Sequence, residues 1–148
     1  MWEYYNENNN ETHIISSIDD MPDGVVGFVY HIYNCVTREF YIGKKILLHK
    51  RTLPPLKGKK RRRVKYVESD WKTYMGSSDI SKEWSPAVCI KTIEYFCFNK
   101  TMMSYYENKE IFENFEREGC VNHNVLGKFY KEKIDKYASE AETKLKDY

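Results

Sequence analysis

Two short runs of strand-forming residues, joined by a turn, constrain the fold of this chain more than any other feature. Residues 25–33 are rich in Val, Phe and Tyr, residues 34–38 offer a turn, and residues 39–42 resume the strand character. The two runs predict a β-hairpin that ends at Gly43. An isolated hairpin is marginally stable at best, so the rest of the chain must supply more strands and a cover.

The remaining sequence provides both kinds of element. Residues 87–98 predict a third strand, residues 101–117 predict a helix, and residues 129–148 carry apolar side chains at helical spacing. Directly after the hairpin, residues 44–51 favour a short helix that Pro54-Pro55 would end. We therefore expect a mixed α/β (α+β) domain, in which a short mixed or antiparallel sheet with a β-hairpin is flanked by helices.

The length and composition fit one folded domain. The chain has 148 residues, and its 16% aromatic content argues against disorder because aromatic rings bury a large apolar surface. The expected parts are a loose N-terminal arm at residues 1–24, a main domain at residues 25–130 with a basic insertion at residues 44–67, and a C-terminal amphipathic helix at residues 131–148.

Cysteine spacing and hydropathy bear on the compartment. The four cysteines are far apart and include no Cys-x-x-Cys pair, which speaks against a zinc site or a dense disulfide framework. The first residues show neither a basic flank nor an apolar run, and no apolar stretch is long enough for a transmembrane helix. We expect a protein of the reducing cytoplasm with no membrane partner.

The charges are distributed unevenly. The net charge is only +2, yet residues 44–65 contain eleven Lys or Arg residues and no acid, which leaves thirteen basic and twenty-two acidic residues elsewhere. A basic island on an acidic protein is suited to a polyanion such as nucleic acid. The alternatives are a solvated loop or an import-like basic run, and residues 59–63 alone fit these about as well.

The hairpin carries a recognisable motif. Gly27-Phe28-Val29-Tyr30 is separated by ten residues from Tyr41-Ile42-Gly43. This pair resembles the defining motif of the GIY-YIG nuclease superfamily, with Phe28-Val29-Tyr30 standing where the family name has Gly-Ile-Tyr. The alternative is two core tyrosines stacked across neighbouring strands, a common way to stabilise a hairpin.

Further motifs follow in the order that the family has them. They are Tyr41-Ile42-Gly43-Lys44-Lys45, Gly76-Ser77-Ser78 after Trp71 and Tyr74, Tyr105-Tyr106-Glu107, and Asn122-His123-Asn124. Together they resemble the phage-encoded homing-endonuclease branch of the superfamily over about residues 25–130. Trp71 itself is expected in the core. The resemblance implies a metal-dependent endonuclease that acts on DNA.

One acidic residue stands in an apolar helical row. In the predicted helix, Glu107 lies at i, i+4 spacing between Met103 and Ile111. Burial of an unpaired carboxylate is unfavourable, and a bound metal ion would compensate it. The alternative is a capping box that starts at Ser104, in which Glu107 would satisfy a backbone N–H of the helix start.

The resemblance also implies a mechanism. Glu107 would hold one Mg²⁺ (or Mn²⁺), while Tyr30 or Tyr41 would orient or deprotonate the attacking water. A free tyrosine has a pKa of about 10, so deprotonation requires a cationic neighbour, which the residues after the hairpin would supply. Arg51 falls where the family keeps its catalytic arginine, on the first helix, and Arg61–Arg63 are open alternatives. The catalytic candidates are Tyr30, Tyr41, Lys45, His49, Arg51 and Asn124, the last of which is alternatively a turn residue.

The basic insertion then predicts a clamp on the DNA backbone. Lysine and arginine contacts to phosphates give affinity and salt dependence without sequence readout. The residues expected to contact DNA are Lys44, Lys57, Lys59, Lys60, Arg61, Arg62, Arg63 and Lys65.

Three functional hypotheses follow. The leading one is a Mg²⁺-dependent DNA endonuclease of homing or phage-defence type, located in the host cytoplasm if a phage encodes it. The second is a catalytically inactive nucleic-acid-binding or anti-restriction regulator on the same fold. The third, compatible with either, is a homo-oligomer assembled through the apolar stripe of residues 130–148.

Overall fold

The computed structural model describes residues 1–148 and contains nine strands and three α-helices. The strands are β1 (Trp2–Asn6), β2 (Glu11–Ile15), β3 (Gly27–Asn34), β4 (Phe40–Ile46), β5 (Leu48–Leu53), β6 (Arg63–Glu68), β7 (Cys89–Cys97), β8 (Asn124–Val125) and β9 (Phe129–Tyr130). The helices are α1 (Asp79–Lys82), α2 (Lys100–Asn114) and α3 (Lys131–Leu145). The α+β class expected from the sequence is confirmed.

A five-stranded sheet in the order β2-β1-β7-β3-β4 forms the centre of the molecule. Its neighbours are antiparallel except for β1 and β7, which run parallel, so the sheet is mixed. The predicted hairpin is β3–β4, and its register places Tyr30 opposite Gly43 and Ile32 opposite Tyr41. Tyr30 and Tyr41 therefore share one face of the sheet, because directly opposed residues point the same way.

The expectation of a loose N-terminal arm is wrong. The first residues form two strands of the central sheet, and β1 pairs with β7 in its middle. The Trp2 side chain is completely buried, and its indole N–H donates to the backbone oxygen of Trp71 at 2.7 Å. The asparagine-rich stretch forms the turn between the two strands, where Asn10 has a φ of 55°. Asparagine tolerates such left-handed backbone well, which explains its presence in this turn.

Each face of the sheet has its own core. On the tyrosine face, Phe28 and Tyr30 pack with Trp2 and Trp71, which confirms the core position expected for Trp71. On the other face, α2 covers the sheet through side chains such as Met103. The edge strand β4 therefore lies with the tyrosine core on one side and α2 on the other.

The expectation of a short helix at residues 44–51 is also wrong. Strand β4 continues to Ile46, and β5 then pairs with β6 in a separate two-stranded sheet. The two prolines fall in the long connection between these strands. Local propensity favoured a helix, but strand pairing with residues 63–68 overrides it, as is common for β-structure. We call β5, the connecting residues 54–62 and β6 the ribbon.

The predicted C-terminal helix is confirmed as α3. Of its apolar stripe, Ile134 packs against the cluster around Phe40 and Phe115, whereas Tyr137 and Leu145 are exposed. All four cysteines are free. None of the helices has the length and apolar character needed to cross a membrane.

Candidate active site

A polar cleft opens at the edge strand β4. It lies between β4, α2 and residues 121–127, and it has a volume of about 560 Å³. The polar side chains that line it include Tyr41, Lys44, Ser77, Glu107, Asn108 and Asn124. Four of the motifs that carry the family resemblance thus meet in one place.

Helix α2 presents Glu107 to this cleft. The helix begins at Lys100, and the side chain of Asn99 caps it by accepting from the Met102 N–H at 2.7 Å. The alternative of a capping box that starts at Ser104 is therefore wrong, because Ser104 lies one turn inside the helix. Met103 is buried one turn before Glu107, so the carboxylate does stand in an apolar row.

The Glu107 carboxylate is poorly compensated by the protein. Its side chain is 20% exposed, and its nearest cation is the Lys44 ammonium, 3.8 Å away. The closer contact of the Lys44 ammonium is with the Ser104 hydroxyl, to which it donates a hydrogen bond of 2.9 Å. Burial raises the pKa of Glu107, and Lys44 only partly offsets this. A group in this state gains from an added cation.

The donor set fits one hard divalent cation. The structure holds no group of three His, Cys, Asp or Glu residues arranged around a metal site, so Glu107 would be the main protein ligand. Mg²⁺ keeps several waters and is often held by one or two carboxylates together with substrate phosphates. The hydroxyl and amide oxygens beside Glu107 are compatible with such a hydrated ion, and the thiol or imidazole clusters typical of zinc are lacking.

Tyr41 is held rigidly on the wall of the cleft. Its hydroxyl shares a hydrogen bond of 2.7 Å with the Ser77 hydroxyl. Gly76 packs closely against the Tyr41 ring, because a Cβ at residue 76 would lie only 2.8 Å from Tyr41 Cδ1. The φ of 94° at Gly76 also favours glycine. Burial raises the pKa of Tyr41, while the Ser77 contact lowers it. The Gly-Ser-Ser motif therefore positions this phenol.

Tyr30 lies behind the cleft wall. Its side chain is 1% exposed, and its ring centroid is 6.3 Å from that of Tyr41 and 6.1 Å from that of Tyr74. A Cβ at residue 43 would lie 2.4 Å from the Tyr30 hydroxyl, so Gly43 makes room for it. Burial raises the pKa of Tyr30 well above its usual value. In this structure Tyr30 supports Tyr41 and does not line the cleft.

The three other basic candidates lie outside the cleft lining. Lys45 pairs with Asp70 at 2.6 Å, and its ammonium sits 3.8 Å from the centre of the Tyr74 ring. His49 and Arg51 are residues of β5, opposite Val67 and Lys65. Because residues 44–51 do not form a helix, Arg51 is not presented to Glu107 as the family pattern implied. Its catalytic role stays a prediction.

Two asparagines organise the far side of the cleft. Asn122 is buried, and its side-chain amide accepts from the N–H of Ile42 at 3.0 Å and donates to its carbonyl at 2.8 Å. It thereby closes the open edge of β4. Asn124 lines the cleft and accepts from the Gly127 N–H at 3.0 Å, so it also serves the turn. The sequence pointed to Asn124 as a site residue, but it did not reveal that Asn122 makes both hydrogen bonds to the Ile42 backbone.

Other cleft residues were missed although the sequence carries a signal for them. Ser104 lies three residues before Glu107 and four before Asn108, spacings that bring side chains together on a helix, and all three line the cleft. The residues expected to bind DNA separate into two groups. Lys44 lies in the cleft, whereas the rest are exposed on the ribbon, namely Lys57, Lys59, Lys60, Arg61, Arg62, Arg63 and Lys65.

A mixed sheet whose hairpin carries two tyrosines, facing a helix with a half-buried carboxylate, defines a GIY-YIG-type nuclease domain. The family model described as "Putative endonuclease segE, GIY-YIG domain" matches residues 4–141. The match spans most of the chain, and the protein belongs to this family. It is therefore a nuclease of the endonuclease type. No curated protein and no solved structure matches the chain.

Proposed function

We propose that the protein is a metal-dependent endonuclease that hydrolyses phosphodiester bonds in DNA, with one Mg²⁺ (or Mn²⁺) held by Glu107. The observation that carries this proposal is the position of Glu107, a half-buried and poorly compensated carboxylate that opens onto the same cleft as Tyr41 and Lys44. DNA as the substrate is supported by the exposed cations of the ribbon.

Hydrolysis of a phosphodiester needs charge stabilisation on the phosphoryl oxygens and on the departing oxygen. When bound, the metal ion supplies Lewis-acid stabilisation of that charge. Lys44 contributes a second positive charge within the cleft, and its flexible side chain can exchange the Ser104 hydroxyl for a phosphate oxygen. Residues Asn108 and Asn124 add neutral polar groups that orient the backbone of the bound strand.

Tyr41 would orient the attacking water as a neutral phenol. Its raised pKa, caused first by burial, keeps the hydroxyl protonated near neutral pH. Of the two roles considered for the tyrosines, orienting the water is therefore favoured over deprotonating it. The hydrogen bond with Ser77 fixes the direction of the phenol and leaves one further hydrogen-bonding position for a water.

Lys45, His49 and Arg51 would act at a distance from the reacting atoms in the present conformation. Lys45 braces Tyr74, and Tyr74 in turn packs on Tyr30. For Arg51 to stabilise the transition state directly, the ribbon would have to bring it to the cleft. The same condition applies to the alternative arginines at positions 61–63. Tyr30 would contribute by holding Tyr41.

The inactive-regulator alternative is not favoured, since the cleft keeps its tyrosine, its lysine and its glutamate together. Homing, phage defence and a location in the host cytoplasm stay predictions about the biological role. So does a homo-oligomer through α3, whose exposed Tyr137 and Leu145 leave part of the stripe without a partner.

The test is plasmid nicking in Mg²⁺, in Mn²⁺ and in EDTA. We expect cutting in either metal and none in EDTA, and a loss of at least about a hundredfold in Glu107→Gln, the scale for removal of one charge-stabilising group. Glu113→Gln is the matched control, because Glu113 is an exposed glutamate of the same helix. Cutting that persists in EDTA, or in Glu107→Gln, would remove the proposed metal site.

A further inference from the structure

The ribbon is exposed, and its positive charges are not neutralised by acids of the protein. It forms a two-stranded sheet separate from the central one, and all six residues of β6 are exposed. None of its lysines and arginines takes part in an ion pair, although the chain contains twenty-two acidic residues. Its only side-chain hydrogen bond from a cation is donated by Arg63 to the Pro54 carbonyl at 3.3 Å.

The register of the ribbon places three of the four lysines and arginines of its strands on one face. Arg51 is directly opposite Lys65, and Arg63 and His49 lie two residues along on the same face. We call this the cationic face. Like charges directly opposed across two strands destabilise a β-pair. Such a face is stabilised when a polyanion lies against it.

The other face of the ribbon is more apolar. Leu48, Lys50 and Tyr66 alternate with the cationic residues along their strands. These three line an apolar pocket together with core-side residues such as Val25 and Phe98. The two faces of the ribbon therefore differ in charge, and the cationic face is the one suited to phosphates.

The cationic face begins beside the tyrosine side of the cleft. His49 lies close enough to Asp70 to lower the pKa of that carboxyl, although the Lys45 contact is the larger cause. Lys45 covers the Tyr74 ring, which packs on Tyr30. A nucleic acid held on the cationic face would therefore run from the ribbon towards the tyrosines.

We propose that the ribbon lies in the major groove of duplex DNA with its cationic face against the backbone, while one strand enters the cleft. The inference rests on the proposed function and specifies its substrate as a B-form duplex. The major groove is about 12 Å wide and admits a two-stranded β-ribbon. Strands of six residues span about 20 Å, enough to cross it. The major groove of duplex RNA is too narrow and deep for this.

Binding by the full chain tests the inference. All proteins carry Glu107→Gln and are measured in EDTA on a short labelled DNA duplex, so that no cutting interferes. The test variant adds Arg51→Gln and Lys65→Gln, and the control adds Lys136→Gln and Lys144→Gln. The control pair removes the same charge from the exposed surface of α3. Only the test variant is expected to weaken binding, roughly 10- to 60-fold at about 0.1 M salt, with the salt slope reduced by about 1.8.

A second arm compares the DNA duplex with an RNA duplex of the same sequence. Glu107→Gln alone should prefer DNA, and the ribbon variant should lose most of that preference. Equal losses for DNA and RNA, or equal losses in the test and control variants, would overturn the groove assignment. Thermal unfolding guards against misfolding, since removing opposed like charges should leave the melting temperature unchanged or raised.

The two proposals fail separately. If the wild-type protein cuts DNA but the ribbon variant binds the duplex as the parent does, the inference is wrong and the nuclease stands. If no cutting occurs in any metal but duplex binding depends on the ribbon, the catalytic proposal is wrong and the groove assignment stands.

Discussion

The cleft and the ribbon differ in whether their polar side chains have partners within the protein. In the cleft, Tyr41 is paired with Ser77 and Lys44 with Ser104, and no buried side-chain nitrogen or oxygen of the protein lacks a hydrogen-bond partner. In the ribbon, Arg51 and Lys65 lie directly opposite each other, and none of the lysines and arginines forms an ion pair. Only Glu107 departs from this pattern, as a cleft group whose charge the protein compensates weakly.

The difference separates two physical tasks. Positioning reacting atoms requires groups that are fixed before the substrate arrives, which hydrogen bonds and packing provide. Affinity for a polyanion requires only accumulated positive charge that releases counterions on contact. Variants in the cleft should therefore change rates or stability, and variants in the ribbon should change affinity.

Among variants that keep the charge of the cleft, the largest effect is expected for loss of the Tyr41 hydroxyl. Tyr41→Phe should lower the cutting rate about a hundredfold, a typical value for a group that helps move or orient the reacting water. Duplex affinity should stay within about twofold, because Tyr41 carries no charge. Tyr66→Phe is the matched control in the ribbon, where the tyrosine is exposed. Similar rates for both variants would show that the position of Tyr41 in the cleft is immaterial.

A smaller effect, on stability, is expected at the edge of β4. Asn122→Ala removes both hydrogen bonds to the Ile42 backbone and should lower the free energy of unfolding by about 2 kcal/mol. The melting temperature should fall by about 6 °C. Thr52→Ala, on the exposed β5, should change stability by less than about 0.5 kcal/mol. If Asn122→Ala melts like Thr52→Ala, the edge of β4 does not depend on that amide.

The smallest effect concerns the pH dependence of stability in EDTA. Because burial raises the folded-state pKa of Glu107, the folded state binds a proton more tightly than the unfolded state. Stability linked to that proton is present at acidic pH and is lost as pH rises through the folded pKa. Glu107→Gln should therefore melt about 2 °C higher than the wild type near pH 7, and the gap should close on acidification.

Lys65→Gln on the ribbon is the comparison for this measurement. Its side chain is exposed, so the difference in melting temperature from the wild type should not vary between about pH 5 and pH 7. A gap for Glu107→Gln that widens on acidification would contradict the assigned sign.

How much of the fold the sequence predicts depends on where each strand finds its partner. The hairpin β3–β4 and helix α2 show strong local patterns, and both are found as expected. Strand β1 and the ribbon were missed for different reasons. The polar, asparagine-rich start concealed a strand whose partner, β7, is remote in sequence. In the ribbon, an apparent helix of basic residues gained its strand character only from pairing with β6.

In the candidate site, too, residues with a local sequence pattern were predicted, and contacts made by residues remote in sequence were missed. Glu107 and Tyr41 were found because a helical row and a tyrosine motif are visible in the sequence, and both line the cleft. The bracing of Tyr41 by Ser77 and of Ile42 by Asn122 depends on loops folding back over the sheet, which periodicity does not report. Arg51 was expected on a helix at residues 44–51, but this segment forms strands instead.

The parallel pairing of β1 with β7 has a consequence for how the chain acquires its shape. It joins Glu3 to Thr92, and the indole of Trp2 reaches Trp71, so the middle of the sheet closes only after most of the polypeptide has come together. Such remote pairings delay the gain from burial until a long loop has been closed, which slows folding. Strand β1, the strand most distant in sequence from Glu107, would then be among the last to dock.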